Sequence, residues 1–145
     1  MTPSLFEPLT IRGVSFRNRV WVSPMCQYMC LEGDGMPHDW HLVNAGTYAA
    51  GGAGLVMVEA TGISPEARIT AECAGIWNDA QRDRWIRVVD FVHSQGAQAG
   101  IQLAHTESIA AVTVWIPIRH RGDHARPICA SRRQGAMGHG FMCSR

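Results

Sequence analysis

The sequence predicts an α/β protein built on a parallel sheet, and three features carry that expectation. Apolar runs at residues 20–22, 55–58 and 99–103 have the character of buried strands. Stretches with helical spacing separate these runs. Glycines close each helical stretch, at 51–54 and at Gly96. Repeated βαβ units imply parallel strands joined by right-handed crossovers.

Taken in order, residues 9–19 alternate apolar and polar positions around Arg12-Gly13, which predicts a short hairpin. The run Val20-Trp21-Val22 stops at Ser23-Pro24, because proline cannot donate to a sheet ladder. Trp40, Leu42, Val43, Ala45, Ala49 and Ala50 predict a helix between Asp39 and Ala50. Leu55-Val56-Met57-Val58 then reads as a strand covered on both faces. A polar loop over 61–74 leads to a second helix. Asn78 or Asp79 is its expected cap, and Trp85, Ile86, Val88, Val89 and Val92 are its apolar positions. Ala99-Gly100-Ile101-Gln102-Leu103 is the third strand. After His105 no period is sustained, and prolines and glycines lie scattered among arginines. The organisation expected is therefore a folded part, 1–105, followed by an irregular Arg-rich tail, 106–145.

Composition narrows the function classes. The 145 residues carry a formal charge of +1 and are 46% hydrophobic, enough for a sizeable core and too balanced for a typical nucleic-acid binder. Every basic residue is arginine. Six of them (Arg119, Arg121, Arg126, Arg132, Arg133 and Arg145) follow His105 against only Glu107 and Asp123, with few aromatics among them to stack on bases. Five cysteines at irregular spacing do not form a disulfide framework, and Cys26 and Cys30 lack zinc spacing. No signal peptide and no bilayer-spanning apolar run is read, which makes a reducing cytoplasm the expected location. His38 and His41 can share a helix face, but no third metal ligand accompanies them, so a structural role is expected rather than a metal site. Gly51-Gly52-Ala53-Gly54 precedes a strand, whereas a dinucleotide fingerprint follows one.

Ligands of parallel sheets bind at the carboxyl ends of the strands. Here those ends carry Ser23-Pro24-Met25-Cys26, Glu59-Ala60-Thr61 and Gln102-Leu103-Ala104-His105. Small residues, a thiol and an amide suit a flat, partly polar ligand. Taken singly, a thiol is more often core packing, a tyrosine a packing residue, and an amide the satisfaction of a strand end. Their joint placement is what points to a site.

These strings also resemble a known family. Ser23-Pro24-Met25-Cys26-Gln27-Tyr28 is similar to the first-strand signature of the Old Yellow Enzyme family (NADH:flavin oxidoreductases), in its bacterial branch with a cysteine beside the flavin. Leu5-Phe6-Glu7-Pro8-Leu9, Arg17-Asn18-Arg19, the stretch 54–60, Gly75-Ile76-Trp77 and the stretch 100–105 extend the resemblance over about residues 5–105. It implies the N-terminal portion of a (β/α)8 TIM barrel, a hairpin plus three βα-type strands with the barrel incomplete. It also implies FMN as cofactor, NADPH or NADH as reductant, and reduction of the activated C=C bond of a small α,β-unsaturated substrate. Membrane partners are not implied, and oligomers are compatible with the full-length family. Ser23, Pro24, Met25 and Cys26 would line the isoalloxazine, Ala60 would let the ring approach, and Gln102 would bond its pyrimidine edge. Cys26 would tune the flavin's potential, Tyr28 would help position substrate, and His105 would support the rim.

A closed barrel of this type takes about 250 residues. The expected chain is therefore a truncated form with three unclosed strands, aggregation-prone or dependent on a partner segment. Family members commonly continue past the third-strand histidine with an Arg-Lys-Ala-Ser-like string, where this chain reads Thr106-Glu107-Ser108-Ile109. Codons exist for those four residues that spell the family string one base later, which suggests a frameshift near residue 106. A genuine short form is the alternative, and the gene's DNA separates the two. The alternative functions are a non-catalytic remnant without flavin and an Arg-rich interaction module.

Overall fold

The computed structural model describes residues 4–105; the expectations made for the tail fall outside this range. A hairpin opens it, with β1 (Leu9–Ile11) antiparallel to β2 (Val14–Phe16). Arg12 and Gly13 make the turn with φ of 48° and 78°, the left-handed pair that suits strand twist. Then come β3 (Trp21–Val22), α1 (Asp39–Ala50), β4 (Leu55–Gly62), α2 (Asp79–Ser94) and β5 (Gln98–Ala104). The parallel sheet has the order β3-β4-β5. Helix α1 follows its predicted bounds. The strands differ at their ends: β3 is one residue shorter than the sequence predicts, and β4 runs on through Thr61 and Gly62, where the sequence predicts a loop. The extension has a physical cause, because Thr61 and Gly62 pair with Leu103 and Ala104, and Gly62 bridges Gly75.

Two cores lie on opposite faces of the sheet. On the helix face, Ala45 and Ala49 of α1 meet Trp85, Val88, Val89 and Val92 of α2 over Val56 and Ala99. The helices approach closely at Gly46, where an added Cβ would lie 2.7 Å from the Phe91 ring. On the other face, Val14 and Phe16 of the hairpin pack on Leu55, with Met57 beside them. Gly54 is required between α1 and β4, since a Cβ there would fall 2.6 Å from the Asn18 carbonyl oxygen. The described sheet does not close, and an apolar groove of about 350 Å³ lines its β5 side with Ile63, Ile76, Ile86 and Ile101.

Candidate functional site

The site grows from the sheet register. Val56 pairs with Ala99 and Val58 with Ile101, and all four look toward the helices. Met57 pairs with Gly100 on the hairpin face. Strict alternation would next put Glu59 on that hairpin face and Ala60 beneath the helices. The register instead shifts between Val58 and Ala60, so that Ala60 pairs with Gln102. Glu59 is the extra residue of a β-bulge. The shift resets the phase of β4: Ala60 joins Gln102 on the face away from the helices, and Glu59 turns toward them.

Glu59 is accordingly buried, at 3% exposure, between α1 and the sheet. Its Oε2 accepts the Gln27 backbone N–H at 3.0 Å. Its Oε1 lies 3.3 Å from His41 Nε2, an ion-pair distance whose geometry falls short of a hydrogen bond. A cavity of about 20 Å³, with room for one water molecule, is lined by Gln27, His41, Asn44 and Glu59 among others.

The Ser23-to-Tyr28 segment runs off β3, whose Val22 pairs with Val56. Through the Gln27 contact it lies against the bulge, and therefore beside Ala60. Its hydrogen bonds all come from nearby side chains. Gln27 Nε2 donates to the Met25 carbonyl at 2.8 Å, and Trp40 Nε1 donates to Gln27 Oε1 at 3.1 Å. Just beyond, the Met29 carbonyl lies 2.6 Å from His38 Nε2. Tyr28 holds φ of 54°, an uncommon left-handed geometry for a tyrosine. It leaves the side chain 43% exposed; Met25 is 47% exposed and Cys26 half-buried. Electrostatic interaction with the neighbouring Cys26 first, and a side-chain hydrogen bond with it second, raise the Tyr28 phenol above its ordinary pKa. Ser23 and Pro24 line a groove of about 340 Å³ on the hairpin face with Phe16, Leu55 and Met57.

His38 and His41 spend their nitrogens on capping. Trp40 N–H donates to His38 Nδ1 at 3.3 Å, and His38 N–H donates to His41 Nδ1 at 3.1 Å, a reciprocal box at the start of α1. With both Nδ1 atoms accepting, the Nε2 atoms carry the protons, toward Met29 O and toward Glu59. Among the described residues no group of three or more His, Cys, Asp or Glu is arranged to hold a metal ion.

The structure thus brings Ala60, Gln102 and the Met25–Tyr28 stretch to one end of the sheet. His105 follows directly on β5, partly exposed. The sequence favours a structural role for the two histidines, which their capping bonds fit, and points to no supporting role for Glu59, Gln27 or Trp40. One signal was present: a carboxylate inside an apolar strand is almost never buried without a partner.

Comparisons with known proteins agree with this architecture. The sequence profile of the NADH:flavin oxidoreductase / NADH oxidase family matches residues 4–122, past the His105 at which the resemblance read from the sequence ended. A curated relative, NADH:flavin oxidoreductase FG08077 of Gibberella zeae, is 43% identical over 115 residues, covering 79% of this chain and 27% of its own length. Among solved structures, morphinone reductase in complex with tetrahydroNAD superposes with a TM-score of 0.64 at 38% identity, over 72% of this chain and 28% of that one. The Old Yellow Enzyme homologue of Zymomonas mobilis gives 0.62 at 36% identity, over 71% and 28%. The 145 residues therefore span little more than a quarter of these relatives, and the described part corresponds to the opening of their TIM barrel. The match over most of the chain, in sequence and in fold, places it in the NADH:flavin oxidoreductase / NADH oxidase family, the family of the Old Yellow Enzymes.

Proposed function

We propose that this chain supplies the face of a flavin site that meets the isoalloxazine ring in an NAD(P)H-dependent reductase of activated C=C bonds. The observation that carries the reading is the pairing of Ala60 with Gln102, beside the Met25–Tyr28 stretch. FMN, when bound, supplies hydride chemistry between a nicotinamide and the unsaturated substrate. The residues present fit the ring. Ala60 offers a methyl group where a larger side chain would block approach, and the partly exposed Gln102 amide presents a donor and an acceptor to a pyrimidine edge. Ser23, Pro24, Met25 and Cys26 border it, with the Cys26 thiol tuning the ring's affinity for electrons. The raised Tyr28 phenol stays protonated at neutral pH and can donate a hydrogen bond to a substrate carbonyl. That morphinone reductase is seen with tetrahydroNAD supports a nicotinamide as reductant. The free thiols Cys26, Cys30 and Cys73 suit a reducing compartment such as the cytoplasm.

None of the side chains assigned to the flavin is charged to grip a phosphate, so these 145 residues alone should hold FMN weakly. Flavin fluorescence quenching on titration with the chain tests the reading. Binding should be measurable, should weaken about tenfold in Gln102→Ala on loss of a hydrogen-bonded amide, and should not survive desalting. Absence of quenching would favour a remnant without flavin function, and a yellow, stoichiometric protein would refute weak retention.

A further inference from the structure

We propose that Glu59 is the positioning residue of the flavin site: its buried carboxylate holds the backbone between Cys26 and Tyr28, and its place in the bulge gives Ala60 the ring-facing position. The proposal rests on the reading that Cys26 and Tyr28 face the flavin, but its test needs no flavin.

Sheet stability asks for neither feature. A bulge gives up regular pairing, and burying a carboxylate costs several kcal/mol of desolvation unless partners repay it. Here the partners are few. Among the described residues, Oε2 has one backbone N–H, that of Gln27, and Oε1 has the His41 contact at 3.3 Å. An apolar residue without the bulge would pair β4 and β5 more regularly, yet would leave the Gln27 N–H unheld and put Ala60 on the wrong face. The two unfavourable features have one joint result, the geometry of the site.

The elements around Glu59 complete the device. From α1 come His41, whose Nδ1 is engaged by the His38 N–H so that Nε2–H faces the carboxylate, and Trp40, which grips the Gln27 side chain. His38 lies by the Met29 carbonyl. From the loop, the Cys30 thiol lies 3.9 Å from His41 Nε2. The segment is therefore anchored at Met25, Gln27 and Met29, and between those anchors lie Cys26, half-buried, and Tyr28, 43% exposed.

The experiment uses the full chain and reads the segment directly. Iodoacetamide labelling of Cys26 and amide hydrogen exchange over residues 25–29 are both followed by peptide mass spectrometry, with residues 98–104 as the internal reference. In Glu59→Ala, labelling and exchange of 25–29 should accelerate about tenfold, as loss of one charge-assisted hydrogen bond allows, with 98–104 unchanged. Glu59→Gln retains an oxygen that can accept from Gln27 and should stay within about twofold of the parent, whereas Glu59→Asp, one methylene short, should behave like alanine. Parent-like rates in Glu59→Ala overturn the proposal. So does equal acceleration across β5, which would make Glu59 a support of the sheet at large. If Glu59→Ala does not fold, the comparison of Asp with Gln decides, and equal rates in those two overturn it. Failure of FMN binding with the expected labelling pattern would count against the flavin reading alone.

Discussion

Cys26 and Cys30 sit four positions apart and are chemically identical in the sequence, yet the fold gives them opposite characters. Cys26 is half-buried at the site, while Cys30 is 1% exposed, its thiol donating to the Met36 carbonyl at 3.3 Å. Burial, with the nearby Glu59 charge second, pushes the Cys30 thiol from 9.0 up to about 12. Below pH 9 the thiol is neutral in folded and unfolded chains, and its contribution to stability is fully present. As pH rises from about 9 to 12 the unfolded chain releases this proton before the folded one does, so that stability is lost across the window. Urea unfolding should show the parent's midpoint falling over that range and Cys30→Ala giving a shallower slope, whatever its absolute stability. A slope unchanged by the substitution would deny the buried thiol this part.

At the scale of the element, the start of α2 shows how a helix end is tied into a fold. Asn78 Oδ1 accepts the Gln81 N–H at 2.9 Å, so that of the two caps the sequence allows, Asn78 and Asp79, the first is used. Gln81 does more. It is fully buried, its Oε1 accepts the Trp77 N–H, and its Nε2 donates to the Asp34 carbonyl, both at 2.9 Å. We expect Asn78→Ala to cost about 1 kcal/mol. Gln81→Leu should cost more, about 2–3 kcal/mol, because it leaves two backbone groups unpaired in a dry environment. Thermal or urea denaturation ranks them, and the reverse order would show the cap to be the stronger tie. The bulge in β4 is the other lesson at this scale. Apolar periodicity located the strand, but not the residue at which its alternation changes phase, because Glu59-Ala60 reads equally well with either residue facing in. Only the pairing with β5 decides it.

For the whole described molecule, Arg17 joins parts far apart in sequence. Its guanidinium donates to the Ala49 carbonyl at 2.7 Å, to Ala53 at 2.9 and 3.1 Å, and to Gln95 at 2.7 Å. These are carbonyls at and beyond the C-terminal ends of α1 and α2, where a cation is favoured by the helix dipoles. One exposed side chain thereby fastens the hairpin to both helices at the end of the sheet opposite the site. Arg17→Ala should lower stability by about 1–2 kcal/mol, and Arg17→Lys should recover only part, since one ammonium nitrogen cannot span carbonyls that three separate guanidinium nitrogens reach. Equal stability of Arg17→Lys and the parent would reduce the clamp to a point charge. The same view shows what the described strands leave open: Trp21, Ile63 and Ile86 stay substantially exposed along apolar grooves, where sheet edges invite pairing.

The sequence by itself determined the elements and their order. Apolar runs, helical spacing, a cap at Asn78 or Asp79 and the Arg12-Gly13 turn are local signals, and local signals survive in a linear string. It also marked the carboxyl end of the sheet, where Ala60 pairs with Gln102, since parallel βαβ units leave little choice of direction. Tertiary structure alone decided where β4 changes phase, that Cys30 is buried, and that Glu59 and Arg17 tie separate elements together. Their partners lie from six residues away, for Cys30 and Met36, to 78, for Arg17 and Gln95, and such hydrogen bonds leave no periodic trace in the chain.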